Sequence, residues 1–330
     1  MANCGVRAFV AACVFAAVTA GAQTCQDAGF TCEPSLLAAS TPISLSKIDE
    51  QRAPYTFRSH VDEVSLSFSI TDKRGQPVSA VRPEDLIVFD STQPVSDLHL
   101  VQYDHLRMRV GVLVDWSDSL KDRQGFERQA ATDFLHRIMR PQFDDGFVIA
   151  IGAKWQLTQP LTSDPEEMIR NLRSAHDAWL TSLYDAIVAA CDGEIVKSAP
   201  DRLARRAIIL LSDGQDTDSM HSLEDALRAA QRGDVAIFPI ARRGRRWDRH
   251  GESVLGELAA STGGRAYVVD SPAEYLAAYD SIERFLRAGY TVSYKPVNLK
   301  RDGRFRPVEI RPRDRNLTVH ARSGYYAPLE

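Results

Sequence analysis

The sequence predicts an α/β protein: a doubly wound, mostly parallel six-stranded sheet inserted in a small β-sandwich-like unit made by the two flanks of the chain. Three observations predict it. Between residues 107 and 289, short apolar runs alternate with helical periods, the pattern of repeated β-α units. Before residue 107 no helical period appears, and apolar residues alternate singly with polar ones. After residue 289 that single alternation returns. Each flank is too short to bury a core alone, so the two are expected to pack together.

Composition sets the bounds. A chain of 330 residues, 44% apolar and 25% charged, is a globular protein of about two domains. This excludes a disordered chain, a collagen-like repeat and a disulfide-dense mini-protein. Lys and Arg total 40 against 44 Asp and Glu, a net charge of -4, which argues against an electrostatic grip on nucleic acid. The 33 arginines against 7 lysines read first as coding bias.

Residues 1–22 read as a secretory signal peptide. Arg7 supplies the positive start, residues 8–20 are apolar and small, and Ala20-Gly21-Ala22 forms a cleavage pattern before Gln23. The apolar run is shorter than the roughly 20 residues a membrane span needs. A lipoprotein signal ending at Cys13 is the rival, but the apolar run continues past Cys13. Cleavage after Ala22 would leave a secreted or periplasmic protein with a net charge of -5 and no transmembrane segment. Cys25, Cys32 and Cys191 remain. In an oxidising compartment Cys25 and Cys32 are the natural disulfide pair, and Cys191, inside an apolar run, is expected to be a buried thiol. Residues 23–55 lack a period and read as a linker.

Residues 56–106 form the first part of the β unit. Val64, Leu66, Phe68 and Ile70 alternate with Ser65, Ser67, Ser69 and Thr71, a half-buried strand. Residues 73–77 make a turn, and residues 85–90 and 98–103 are further strands. The α/β domain spans residues 107–289. Its strands are expected at 109–114, 147–151, 207–211, 235–240 and 266–269, with 155–161 turning back beside the second. Its helices are expected at 120–140, 164–176, 182–197, 223–231, 253–262 and 272–288. Ser163, with Glu166 three residues on, reads as the capping box of the second helix. Residues 290–330 complete the β unit with strands at 290–294, 308–311 and 317–321, and Arg301-Asp302-Gly303 as a hairpin turn.

The strand at 109–114 is continuously apolar after Arg109, as a strand buried on both faces should be. It runs into Asp115-Trp116-Ser117-Asp118-Ser119, a D-x-S-x-S pattern. Alone this is weak, with on the order of 0.1 chance matches in such a chain. Its place after a buried parallel strand, where ligand sites form in open α/β sheets, makes it informative. A second acid follows the next inner strand in Ser212-Asp213-Gly214. Between the two lies Thr181-Ser182-Leu183-Tyr184-Asp185-Ala186, a hydroxyl just before a helix. Carboxylates and hydroxyls are hard oxygen ligands that suit Mg²⁺, with Mn²⁺ or Ca²⁺ as alternatives, far better than zinc.

These three loops resemble the metal-ion-dependent adhesion site (MIDAS) of von Willebrand factor type A (VWA) domains, a Rossmann-like fold shared with integrin I domains. The resemblance covers about residues 108–286. It implies that Asp115, Ser117, Ser119, Thr181 and Asp213 hold a metal ion with one coordination position left for an acidic side chain of a partner. Asp118 and Leu180 depart from the pattern, which usually has small residues there; neither removes a ligand. Residues 68–78 and 84–90, with the tail segments 301–306 and 323–328, resemble the secreted VWFA-related proteins common in Acidobacteria. That extends the likeness to about residues 60–328 but implies no defined activity.

The loop after residues 235–240, read as 241–250, carries Arg242, Arg243, Arg245 and Arg246. With Trp116, Trp179 and Trp247 it is expected on the metal face, where Arg and Trp are typical binding hot spots. An ordinary solvated loop is the bland alternative. The expected role is therefore an exported binding or adhesion-type module that captures an acidic group, on a protein or a surface ligand, through Mg²⁺. The alternative is an envelope assembly component that uses its β unit, with the metal only structural. A metal-dependent hydrolase fits less well. Ser117 stands where a haloacid-dehalogenase type enzyme needs its second Asp, no G-x-S-x-G segment occurs, and the eight histidines lack zinc spacing. Asp104-His105, adjacent at an expected strand end, reads as no catalytic dyad. No enzymatic activity is expected.

Overall fold

A computed structural model describes residues 63–102, 106–115, 124–172, 180–195, 204–242 and 249–329, all within one unit, Ser59–Glu330. The first flank gives β1 (Val64–Thr71), β2 (Leu86–Asp90), β3 (Gln93–Pro94) and β4 (His99–Gln102). Next come β5 (Met108–Asp115), α1 (Gln124–Ile138), β6 (Asp145–Ile151), β7 (Gln156–Thr162), α2 (Pro165–Asn171) and α3 (Leu183–Ala189). They are followed by β8 (Arg205–Leu211), α4 (Leu223–Gly233), β9 (Val235–Arg242), α5 (Arg249–Thr262), β10 (Tyr267–Val269) and α6 (Pro272–Arg287). The last flank gives β11 (Tyr290–Tyr294), β12 (Phe305–Pro312), β13 (Thr318–Ala321) and β14 (Gly324–Tyr326).

The central sheet has the order β10-β9-β8-β5-β6-β7. All its pairs are parallel except β6 with β7, which turns back as expected. Every residue of β5 is buried, because helices cover both faces. Val110, Val112 and Val114 join Phe134, Leu135 and Tyr279 on one side. Leu113 joins Phe147, Leu183, Ile187 and Leu258 on the other. Among the described residues no helix is long and apolar enough to cross a membrane.

The flanks build two antiparallel sheets, β13-β1-β11-β4 and β14-β12-β2-β3. Their shared core includes Leu66, Phe68, Ile70, Val88, Val292 and Ile310. β1 lies between β11 and β13, and β2 beside β12. The two flanks, residues 64–102 and 290–326, thus complete each other around the inserted α/β part.

Several local expectations are corrected. The far end of β1 is buried on both faces, because it packs on the α/β part. There the Ser69 hydroxyl donates to the Phe285 carbonyl (3.1 Å) and accepts from Arg205 Nη2 (2.9 Å). Residues 83–85 form a 3-10 turn, so the second strand starts one residue later than read. Arg301-Asp302-Gly303 is not a hairpin between paired strands, since β11 and β12 belong to different sheets. Asp164, not Ser163, caps α2: its carboxylate accepts the Glu166 amide (2.9 Å), with Pro165 in the first turn. α3 ends in a π-helical turn, Ala190–Glu194, that buries Glu194 so that its Oε2 accepts the Leu161 amide of β7 (3.1 Å).

Arg109 interrupts the apolar reading of β5. Its guanidinium is buried in a bidentate pair with Asp145 (2.7 and 2.8 Å). Beside it the buried Asp144 accepts from the Met108 amide (2.8 Å) and from Arg140. Burial pushes the Asp144 carboxyl up, but these bonds outweigh it and hold the group below the usual carboxylate range.

The connection from β5 leads to β6 on one side, and that from β8 leads to β9 on the other. The sheet therefore has its topological switch point between the C-terminal ends of β5 and β8, where open α/β sheets form ligand crevices.

Candidate metal-binding site

Asp115 is the last residue of β5 and is 1% exposed. Val114 pairs with Leu211, so Ser212 stands beside Asp115 across the switch point. The Ser212 hydroxyl donates to Asp115 Oδ2 (3.0 Å) and accepts the Gly214 amide (3.1 Å). One hydroxyl thus orients the first acid and folds the loop that carries the second. Asp213 follows, half-buried, with Oδ1 accepting the Gln215 amide (3.1 Å).

The turn after Asp213 needs glycine. Gly214 has φ +84°, and a Cβ there would stand 2.4 Å from the Gly251 carbonyl oxygen. A Cβ on Gly251 would stand 2.3 Å from the Asp213 carbonyl oxygen. The first turn of α5 therefore presses directly on the Asp213 loop.

Thr181 is 6% exposed and is fixed through its backbone. Its amide donates to Thr217 Oγ1 (2.8 Å), and its carbonyl accepts from the amides of Thr217 (2.9 Å) and Asp218 (3.1 Å). Ser182 stands at the N-cap of α3 but does not cap it. Its amide and hydroxyl both donate to the Gly152 carbonyl, at 2.8 and 3.0 Å. The cap comes from another loop. Asp216 Oδ1 accepts the amides of Leu183 (2.8 Å) and Tyr184 (3.3 Å) and the Ser219 hydroxyl (2.5 Å).

Asp185, in the first turn of α3, accepts the amides of Met220 (3.1 Å) and His221 (2.9 Å) and contacts His221 Nδ1 (2.7 Å). Burial pushes the Asp185 carboxyl up, but the His221 and Met220 amides and the His221 ring outweigh it and hold it low. Burial raises the neighbouring Tyr184 phenol, helped by the charges of Asp216 and Glu257.

The loop 212–222 is thus sewn to β5 through Ser212 and to the start of α3 through Thr217, Asp216 and Asp185. That seam holds Asp115, Thr181 and Asp213 at one end of the sheet. Ser117 and Ser119 lie outside the described residues. The described donors are carboxylates and a hydroxyl, a hard-oxygen set that fits a Mg²⁺-class cation. Among the described residues no group of three or more His, Cys, Asp or Glu could hold a metal.

Of the expected partner-facing residues, Arg242 ends β9, half-buried, and is not in a loop. Arg249 and His250 open α5. Arg243, Arg245, Arg246, Trp116, Trp179 and Trp247 lie outside the described residues, as do residues 1–22 and 23–55, read as signal peptide and linker, and Cys25, Cys32, Asp104 and His105. Cys191 is buried, and burial pushes its thiol up, which suits an inert packing residue. Sequence reasoning missed Ser212, Asp216, Thr217, Ser219 and His221. The density of Asp, Ser and Thr over residues 212–222 was the available signal.

A family model described as von Willebrand factor type A domain matches residues 110–280. No curated protein matches. Among solved structures, BatB from Bacteroides thetaiotaomicron is 19% identical, with 55% of this chain and 100% of that chain covered and a TM-score of 0.43. The proximal thread matrix protein 1 from the mussel byssus, in a form with a zinc-occupied MIDAS motif, is 14% identical, with 60% and 50% covered and a TM-score of 0.48. A von Willebrand factor type A protein from Catenulispora acidiphila is 13% identical, with 82% and 75% covered and a TM-score of 0.46. This chain spans half the length of the mussel protein. At these identities the likeness is one of fold alone.

Proposed function

Because this chain belongs to the von Willebrand factor type A domain family, we propose that it is an exported, non-enzymatic binding module that captures an acidic group of a partner through a divalent cation, Mg²⁺ by donor type. Domains of this family typically mediate adhesion and protein interaction. One observation carries the reading to this chain: the hydrogen-bonded seam from Asp115 through Ser212 to the loop that also clasps Thr181. Oriented, buried oxygen ligands at a switch point are what a small hard cation requires.

Asp115, Ser117, Ser119, Thr181 and Asp213 would hold the ion. A bound ion would supply positive charge with one position open to a carboxylate. Ser212 fixes the Asp115 carboxylate, the Gly214 turn aims Asp213, and the Thr217 clasp fixes Thr181. We take residues 107–289 as the VWA domain, and residues 56–106 with 290–330 as the flanking unit. Export rests on residues 1–22, with cleavage after Ala22.

The test is a pull-down from the native envelope in Mg²⁺ and again in EDTA, with wild type and Asp115→Ala. Partner retention is expected only for wild type in Mg²⁺. Equal retention in EDTA, or by Asp115→Ala, would refute the reading and favour assembly through the β unit.

A further inference from the structure

We infer that the loop between β11 and β12, residues 295–304, is a docking site for an anionic lipid surface. Its cations meet lipid phosphates while the side chains of Val297 and Leu299 enter the interface. The site is separate from the candidate cation site and does not depend on the carboxylate-capture reading.

The loop departs from the rest of the chain in charge. It carries Lys295, Lys300, Arg301 and Arg304 against one acid, Asp302, in a chain whose net charge is -4. Lys295 and Lys300 are exposed and make no ion pair with a described residue. Arg304 is exposed too. The acid is engaged within the loop: Asp302 Oδ1 accepts the Arg304 amide (3.1 Å) and lies 3.6 Å from the Arg306 guanidinium. The cations are therefore left for an outside anion.

The same loop turns bulky apolar side chains outward. Val297 is 44% exposed and Leu299 49%. Their exposure follows from how the backbone is held. The buried Arg306 guanidinium, on β12, donates to the carbonyls of Asn298 and Lys300, which bracket Leu299. The Val297 amide donates to the buried Asp90 at the end of β2 (3.3 Å). Two buried charged groups thus pin the backbone and leave the side chains of Val297 and Leu299 in solvent. Leu329 lies against the same loop: a Cβ on Gly303 would stand 2.6 Å from its Cδ2, yet it remains largely exposed. Charge and apolarity together select the occupant. A lipid surface takes apolar side chains into its headgroup boundary and pairs the flanking cations with phosphates. An acidic protein tract or polysaccharide would use the cations alone and leave the apolar pair in water.

The test is co-sedimentation of the full chain, in EDTA, with vesicles of phosphatidylcholine alone, with vesicles that also contain phosphatidylglycerol, and with polyglutamate-coated beads. Wild type is expected to bind the phosphatidylglycerol vesicles at least about tenfold more tightly than phosphatidylcholine alone. Val297→Ser with Leu299→Ser should weaken that binding at least about tenfold and leave any binding to the beads unchanged. Lys295→Glu with Lys300→Glu should weaken it by at least as much. Both double variants should keep the wild-type melting temperature, since they alter exposed side chains only. No binding of wild type to the phosphatidylglycerol vesicles, or full binding by the Lys295→Glu, Lys300→Glu variant, overturns the proposal. Full binding by the Val297→Ser, Leu299→Ser variant also overturns it and favours an acidic polymer as the occupant. Binding seen only when Mg²⁺ replaces EDTA places the headgroup at the cation site and overturns the loop as well.

Discussion

Asp216 does at the start of α3 what Ser182 does not. It caps the helix from a loop 33 residues away in sequence, and so ties the Asp213 loop to the Thr181 loop. Removing a cap acceptor costs about 0.5–2 kcal/mol. Asp216→Ala is therefore expected to lower urea stability by about that amount and to weaken Mn²⁺ binding, read by calorimetry on the same samples. Asp216→Asn keeps one acceptor oxygen and should recover most of both. Unchanged Mn²⁺ affinity in Asp216→Ala would show that the cap does not position the ligands. Asp115, Thr181 and Asp213 were legible in the sequence because each abuts the end of a periodic element. Asp216 was not, and neither was the Ser212 hydroxyl, whose bond to Asp115 spans 97 residues. Local pattern holds no record of such long-range bonds.

Elements were legible where burial repeats with a period. The inner strands announce themselves as apolar runs, and α4 and α6 as amphipathic stretches; their capping serines, Ser222 and Ser271, emerge only from the structure. Ends were less legible because they depend on single contacts. β9 runs on through Arg242 and α5 starts at Arg249, so residues 241–242 and 249–250, read as loop, belong to a strand and a helix. That early start places Gly251 against Asp213. Gly251→Ala is expected to cost about 1–3 kcal/mol through overpacking, and to push the Asp213 loop out of place. Gly256, in the same helix with open space at its Cβ position, is the control. Gly256→Ala should raise stability by up to about 1 kcal/mol through helix propensity. Thermal melting of the two variants checks both signs.

At the scale of the whole molecule, periodicity revealed an α/β part between two β flanks, but not how they grip each other. The grip is polar and specific. Ser67 donates to Asp234 (2.8 Å), Arg322 pairs with Asp234 (3.2 Å), and Arg205 and Phe285 hold Ser69. Arg205 begins β8 and Asp234 precedes β9, so this junction lies at the end of the sheet where the strands start. The candidate cation residues Asp115 and Asp213 lie where they finish. The flanks can thus anchor the fold without covering the end that meets a partner. The central claim, that this end holds a cation, is tested most directly by titrating Mn²⁺ into metal-stripped wild type, Asp115→Ala and Thr181→Ala. One ion per wild-type chain is expected, with each substitution weakening uptake by more than about tenfold at unchanged fold. No uptake by wild type, or wild-type affinity in Asp115→Ala, would contradict it.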